Sequence, residues 1–220
     1  MMSSEQILLL VAGFPGTGKS RLRTLVQKRL GPFASLSLDD VKEELYDCRG
    51  FVDSAAREHL DRAALEIFLA QVRTMMAAGR PILAEYPFSE KQRPQLEAAC
   101  ADYEVRPVTV RLVADFEVLF ERQRERDLDP SRHVGHLVDT YRPGDTLVDR
   151  RAAPRLLRRE VFLDRYLHRG YGTFALGTTI EIDTTDFEQI DDDDLISRIS
   201  QASRIARTDR GTDLIEKERA

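Results

Sequence analysis

Three features of the sequence predict an α/β fold with one parallel sheet: apolar runs alternating with amphipathic stretches, a glycine-rich loop after the first run, and carboxylates ending later runs. The loop reads Gly13-Phe14-Pro15-Gly16-Thr17-Gly18-Lys19-Ser20, the phosphate-binding pattern GxxxxGKS. A strand should precede such a loop and a helix follow it. Ile7 to Val11 is a branched, aliphatic run suited to a buried strand, and Leu22, Leu25, Val26 and Leu30 follow at helical spacing. The expected architecture is therefore the P-loop NTPase fold, with five parallel strands, helices on both faces and an arginine-rich lid. At 220 residues the chain fits one domain, taken as residues 1–206, with a charged and disordered tail over 207–220.

The remaining elements follow in order. Gly31-Pro32 closes the first helix, and Phe33 to Leu38 reads as strand two, running into a helix from Asp39-Asp40 to about Cys48. Gly50 breaks that helix. Leu60, Ala64, Ile67, Phe68, Val72, Met75 and Met76 then mark one buried helical face ending at Gly79. Pro81 to Glu85 is strand three, Glu90 to Ala101 a helix, Val105 to Val113 strand four and Asp115 to about Asp127 an arginine-rich helix. Thr178 to Ile182 is strand five, and Asp191 to Ile205 a last helix with an acidic first turn. Pro130, Pro143-Gly144, Pro154 and Gly170-Tyr171-Gly172 make residues 128–177 the least regular stretch, read as lid and substrate-facing insertion within about 120–177.

Composition narrows the function. A net charge of −5 gives no global basic field for nonspecific nucleic-acid binding. Cys48 and Cys100 have no metal-ligand spacing and are expected to be buried and reduced. With no apolar run of membrane length and no leader pattern, the expected location is cytoplasmic.

In a phosphate loop the glycines let backbone N–H groups converge on phosphate oxygens at a helix N-terminus, and the lysine reaches the β- and γ-phosphates. The expected nucleotide contacts are Gly13, Pro15, Gly16, Thr17, Gly18, Lys19, Ser20 and Arg21, with Mg²⁺ on Ser20 and Glu85, which ends strand three. Asp115, after strand four, competes for the metal role but starts a helix directly. Phosphoryl transfer also needs a base and cations around the transferred group. Asp39, where strand two ends, is the expected general base; Asp40 beside it is the alternative, and the run Ser37-Leu38-Asp39-Asp40 also fits a helix cap. Lys19, Arg122, Arg126 and Arg132 are the expected catalytic cations, with Arg124 beside the arginines. Arg122 and Arg126 lie four apart on one helical face, where they repel unless an anion sits between them or Glu117, Glu121 and Glu125 pair with them. His133 and His136 lack a third ligand for zinc and read as loop structure or substrate contact. Tyr46, Arg49, Arg57, His59, Tyr141 and Arg142 fall in segments expected to cover the acceptor.

These residues resemble a known group. The loop GFPGTGKS, Ser37 to Lys42, Ile82 to Glu85, the arginines leading into Arg132-His133-Val134-Gly135-His136, and Asp183-Thr184-Thr185-Asp186 are similar to the zeta-toxin and polynucleotide-kinase-like P-loop kinases. They are most similar to the small stand-alone "AAA domain" ATP-binding proteins of that group, over residues 5 to 200. The resemblance implies an ATP-dependent kinase with an acceptor-activating Asp39, an arginine lid, and the Asp183-Thr184-Thr185-Asp186-Phe187 loop, with Thr185 as a contact, near the adenine. Glu85-Tyr86-Pro87-Phe88 departs from the group in lacking an asparagine after the acidic residue. Because the group phosphorylates unrelated acceptors, the resemblance fixes no substrate.

The chain contains no asparagine at all, which removes the usual guanine-reading motif of GTPases and favours ATP. The expected activity is transfer of the ATP γ-phosphate to a hydroxyl of a small molecule, with Mg²⁺. The alternatives are a polynucleotide 5′-hydroxyl kinase and a non-catalytic ATP-binding or ATPase module. The acidic balance and the lack of a basic, aromatic stripe favour the small acceptor.

Overall fold

The computed structural model describes residues 6–205. The expected tail over 207–220 lies outside the described residues. Five strands form one all-parallel sheet in the order β2-β3-β1-β4-β5: β1 Ile7–Gly13, β2 Ala34–Ser37, β3 Ile82–Glu85, β4 Arg106–Val113 and β5 Thr178–Asp183. The helices among the described residues are α1 Lys19–Leu30, α2 Leu38–Arg49, α3 Ser54–Ala77, α4 Arg93–Asp102, α5 Phe116–Leu128, α6 Arg159–His168 and α7 Asp192–Ser203.

All seven residues of β1 are buried, as a continuous apolar run at the centre of a parallel sheet must be. The two-residue side-chain period divides them between two cores. Leu8, Leu10 and Ala12 pack with Phe68 and Val72 of α3 and Leu96 of α4, while Ile7, Leu9 and Val11 pack with Val26 of α1 and Ile196 of α7. Both faces are thus covered, and ligands have only the carboxyl ends of the strands to approach. β1 is hydrogen-bonded between β3 and β4, so the loop after it opens where the chain crosses from one side of the sheet to the other.

Local differences from the sequence reading have physical causes. The buried stripe of α3 is Ala64, Phe68, Val72 and Met76, a strict four-residue repeat; Ile67 falls off it and is 39% exposed. Cys48 is exposed on α2, whereas Cys100 is buried as expected. Strand two ends at Ser37, and Leu38 already belongs to α2. The irregular stretch contains α6, whose sole fully buried residue is Phe162, so its apolar stripe is too thin to read as a helix.

The chain returns from the lid to β5 along β4. The Thr109 hydroxyl donates to the Leu176 carbonyl at 2.8 Å and accepts from the Leu176 N–H at 3.0 Å, fully buried. Thr109→Val keeps the shape but orphans two buried backbone groups. It should lower unfolding free energy by about 2–3 kcal/mol, measured by urea denaturation, whereas Thr179→Val, at a half-buried position of the edge strand β5, should change it by under about 0.5 kcal/mol.

Candidate active site

The loop between β1 and α1 is shaped by its glycines and by one lysine. Gly13, Gly16 and Gly18 have φ of 132°, 90° and 82°, and a Cβ on Gly13 would lie 2.3 Å from the Leu112 carbonyl oxygen. Lys19 Nζ donates to the carbonyls of Gly13 at 3.1 Å and Phe14 at 2.8 Å, and the Thr17 hydroxyl donates to Phe14 O at 2.8 Å. Gly18 caps α1 without a side chain, so no side-chain oxygen competes for the amides of its first turn. Pro15, Gly16, Gly18, Lys19, Ser20 and Arg21 line a cavity of about 610 Å³. Gly13 and Thr17 form no part of its wall and instead build the loop behind it. Burial lowers the Lys19 pKa to about 8, against the raising effect of Glu85 and Asp39.

Ser20 and Glu85 come together as expected. The Ser20 hydroxyl donates to Glu85 Oε1 at 2.7 Å. Glu85 Oε2 is buried and has no hydrogen-bond partner in the protein; Arg23 Nε stands 3.3 Å away but outside hydrogen-bond geometry. A buried carboxylate oxygen without a bond, beside a hydroxyl and a phosphate loop, fits Mg²⁺. Among the described residues no group of three or more His, Cys, Asp or Glu is placed to hold a metal ion.

Asp39 faces this cavity from the first turn of α2. It is not the cap, because the Ser37 hydroxyl accepts from the Asp40 N–H at 3.4 Å and fills that role. Asp40 pairs instead with Arg23 at 3.3 Å and does not line the same cavity. Arg126 reaches Asp39 Oδ2 at 3.4 Å and Arg132 at 3.6 Å. Withdrawal from water would raise the Asp39 pKa, but His136, Arg132, Arg126 and Lys42 together hold the carboxyl well below the ordinary range. Arg132 also approaches Glu43 at 3.5 Å, and Glu43 bonds His136 Nε2 at 2.8 Å. His133 Nε2 lies 3.0 Å from Asp47. The two histidines therefore tie the lid to α2, and neither belongs to a metal cage.

Arg122 sits apart from this cluster. It donates to the carbonyls of Thr184 at 2.6 Å and Thr185 at 2.9 Å, and its guanidinium lies 3.9 Å from the Phe187 ring centroid. The Thr185 hydroxyl accepts from the Asp115 N–H at 3.1 Å and does not line the cavity. The residue of that loop that does is Phe187, the last residue of the Asp183-to-Phe187 loop that the resemblance places near the adenine, so within that loop the cavity is met by Phe187 rather than by Thr185. Arg21 is held by Asp192 at 2.9 Å. Arg124 is exposed, and Glu117 pairs with Arg159 rather than with the arginines of its own helix.

The expected acceptor-side residues divide. Tyr46 and Tyr141 are buried with Phe51 and bond Asp61 and Asp47, so they hold α2, α3 and the lid together. Arg49, His59 and Arg142 are exposed. Tyr86, Phe162, Arg165 and Tyr171, none of them selected from sequence, line the cavity beside Asp39.

Fold and site together define a P-loop α/β protein of the kinase type. The chain belongs to the AAA domain family, whose model matches residues 8–143. It is similar in structure to a candidate kinase from Chloroflexus aurantiacus J-10-fl, with 25% identity and a TM-score of 0.70 over 90% of this chain and 98% of that one. The fold is shared with a sugar kinase from Janibacter sp. HTCC2649, at 15% identity and a TM-score of 0.52 over 91% of this chain and 96% of that one. It is shared too with a gluconokinase from Sinorhizobium meliloti 1021, at 13% identity and a TM-score of 0.50 over 93% and 94%. No curated protein matches the chain at significance. No described helix is long and apolar enough to cross a membrane.

The lowered pKa of Lys19 has a measurable consequence. Phosphate binds the protonated form, so above about pH 8 binding must first restore a proton. The dissociation constant of Mg²⁺·ATP should be flat near pH 7.5 and rise above pH 8, approaching about tenfold per pH unit. Titration calorimetry of the wild type and of Lys19→Met tests this, since the variant should bind weakly and without that dependence.

Proposed function

We propose that the protein is an ATP-dependent phosphotransferase that moves the γ-phosphate of ATP to a hydroxyl of a small-molecule acceptor. The observation that carries this reading is the convergence on one cavity of a phosphate loop with Lys19, a Ser20–Glu85 pair, and Asp39 gripped by Arg126 and Arg132. Loop amides and Lys19 hold the triphosphate. Ser20 and Glu85 would hold Mg²⁺, which would supply positive charge to offset that of the phosphate oxygens. Asp39 orients the acceptor hydroxyl and takes its proton, and Arg126 and Arg132 offset charge spread over the transferred group. Arg122 and Phe187 provide flat cationic and aromatic surfaces suited to a purine, a role that moves Arg122 from the phosphate to the base.

A carboxylate held far below its ordinary pKa is a weak base. The loose transition state of phosphoryl transfer demands little proton removal before the bond to phosphorus is well advanced. Triphosphate also competes for the two arginines, and losing them raises the basicity of Asp39. The small acceptor is favoured over a polynucleotide end by the net charge of −5.

Incubation with γ-labelled ATP and Mg²⁺, offering a metabolite extract and separately 5′-hydroxyl oligonucleotides, tests the reading. Label should enter the metabolite pool and be absent with Lys19→Ala. Asp39→Asn should keep ATP affinity within a few-fold and lower transfer by about 10²–10⁴-fold. Label confined to the oligonucleotides would identify a polynucleotide kinase, and tight ATP binding without transfer to either pool would identify a binding module.

A further inference from the structure

Behind the lid lies a second cavity, of about 320 Å³, that shares Gln123, Arg132 and Arg165 with the nucleotide cavity. Five arginines line it, Arg57, Arg132, Arg155, Arg158 and Arg165, against two aspartates, Asp127 and Asp139. Both aspartates are engaged. Asp139 pairs with Arg155 at 3.1 Å, and Asp127 accepts from Gln123 Nε2 at 2.8 Å while burial raises its pKa towards the neutral form. Among the described residues, no carboxylate pairs with Arg57 or Arg165. Arg57 lies against the Tyr46 ring, at 5.9 Å from its centroid, and interacts with the Tyr46 hydroxyl, while its Nε and Nη1 have no hydrogen-bond partner. Burial and the charges of Arg169, Arg155 and Arg57 lower the pKa of Arg165, so this corner of the protein is electrically strained by like charge.

The hydrogen-bond account points the same way. Five buried side-chain nitrogen or oxygen atoms among the described residues lack a partner within the protein. One is Glu85 Oε2 at the metal position. The other four, Arg57 Nε, Arg57 Nη1, Arg132 Nε and Gln123 Oε1, belong to walls of this cavity. Unpaired buried polar groups are rare in native proteins and concentrate where a ligand completes them. Three of these are donors on guanidinium groups and one is an amide acceptor, so the missing partner carries negative oxygens and also a hydroxyl. The atoms are shielded from water as they stand, so a ligand meets them only once the long arginine stems and the Gln123 amide turn toward the cavity.

We propose that this cavity is the acceptor's anion subsite. Arg57 and Arg165 bind a carboxylate or phosphate monoester of the acceptor, Gln123 accepts a hydroxyl, and a second hydroxyl of the same molecule reaches Asp39. The acceptor is therefore a polyhydroxy compound with an acid group, and the assignment rests on the phosphotransferase reading above. α3 supplies Arg57, α5 supplies Gln123 and α6 supplies Arg165, so the subsite forms only when the lid packs on α3.

Calorimetry on the protein saturated with Mg²⁺ and a non-hydrolysable ATP analogue tests it, since the analogue occupies the phosphate loop and removes it as a competing anion site. Two matched sets serve as probes: glycerol, glycerate and glycerol 3-phosphate, and sorbitol, gluconate and sorbitol 6-phosphate. In at least one set an acid should bind about tenfold or more tightly than its neutral parent, with an advantage that shrinks as salt is raised. Arg57→Gln should remove that advantage and leave the affinity for the nucleotide analogue unchanged; if it does not fold, Arg165→Gln should remove the same advantage and is scored on the acid alone, because Arg165 also lines the nucleotide cavity. The better acid tells carboxylate from phosphate. Equal affinity for acid and neutral compounds, an advantage that survives either folded variant, or no binding by any probe at millimolar concentration would overturn the subsite. Because binding is scored without turnover, an acid that binds through Arg57 but is never phosphorylated keeps the subsite and counts against the kinase. Phosphorylation of a neutral polyol alone does the reverse.

Discussion

Everything at the carboxyl end of the sheet is arranged around one buried ammonium. Lys19 bridges the carbonyls of Gly13 and Phe14 and so closes the phosphate loop on itself before any ligand arrives. A cation in that position is costly unless negative charge lies near it, and the two nearest sources are Glu85 and Asp39. Each brings a further obligation. Glu85 needs Ser20 and Arg23, Asp39 needs Arg126 and Arg132, and Arg132 in turn needs Glu43, which is bonded to His136. The result is an alternating chain of charges from the sheet edge into the lid. Removing a member leaves its neighbours uncompensated, most severely at the buried Lys19 and Glu85 and the mostly buried Arg132, so the site and the lid position are electrostatically linked.

The same loop fixes the lid by a second, apolar route. Phe14 points away from the phosphates and packs with Leu119, Leu157 and Phe162. Its ring stacks on Tyr166 with centroids 4.6 Å apart and meets the edge of Tyr171 at 5.7 Å. A Cβ on Gly172 would come within 2.8 Å of that ring, so glycine there lets the returning chain pass close over it. Phosphate binding faces one side of the loop, and aromatic contact with α6 occupies the other. Tyr171 and Phe162, both packed with Phe14, also line the cavity beside Asp39, so the phosphate loop and that cavity share a packed, contiguous wall.

What the sequence made legible was the part governed by short-range rules. The phosphate loop, the five strands and the carboxylates at strand ends all follow from local period and from glycine chemistry, and the structure has each of them in place. The Ser37 cap was legible as a motif, but only geometry separated Asp39 from Asp40. Arg122 and Arg126 illustrate the limit. Four residues apart on one helix, they look equivalent, yet Arg122 turns to the Thr184 and Thr185 carbonyls and Arg126 to Asp39. That divergence depends on the sheet order bringing the loop after β5 to one side of α5 and α2 to the other. Tyr86, Phe162, Arg165 and Tyr171 were invisible for a related reason: their segments have no strong period, and they converge only after α6 docks on the phosphate loop.

On the proposed reading, the Arg126–Asp39–Arg132 cluster also orders the reaction. In the resting protein the base is occupied by two guanidinium groups, and a neutral acceptor hydroxyl is a poor competitor for a carboxylate so held. A triphosphate carries more negative charge than one carboxylate, and it sits on the same cavity wall, so it is the ligand able to draw those arginines away. Each arginine that leaves raises the proton affinity of Asp39 and frees an oxygen for the acceptor. Nucleotide binding therefore favours acceptor binding, and by linkage the acceptor favours nucleotide by the same factor. The coupling needs no movement of the sheet, only a change of partner for two side chains on the lid. It also keeps Asp39 from activating water while the phosphate loop is empty of nucleotide, because the charge that makes it a base arrives with the phosphate that is to be transferred.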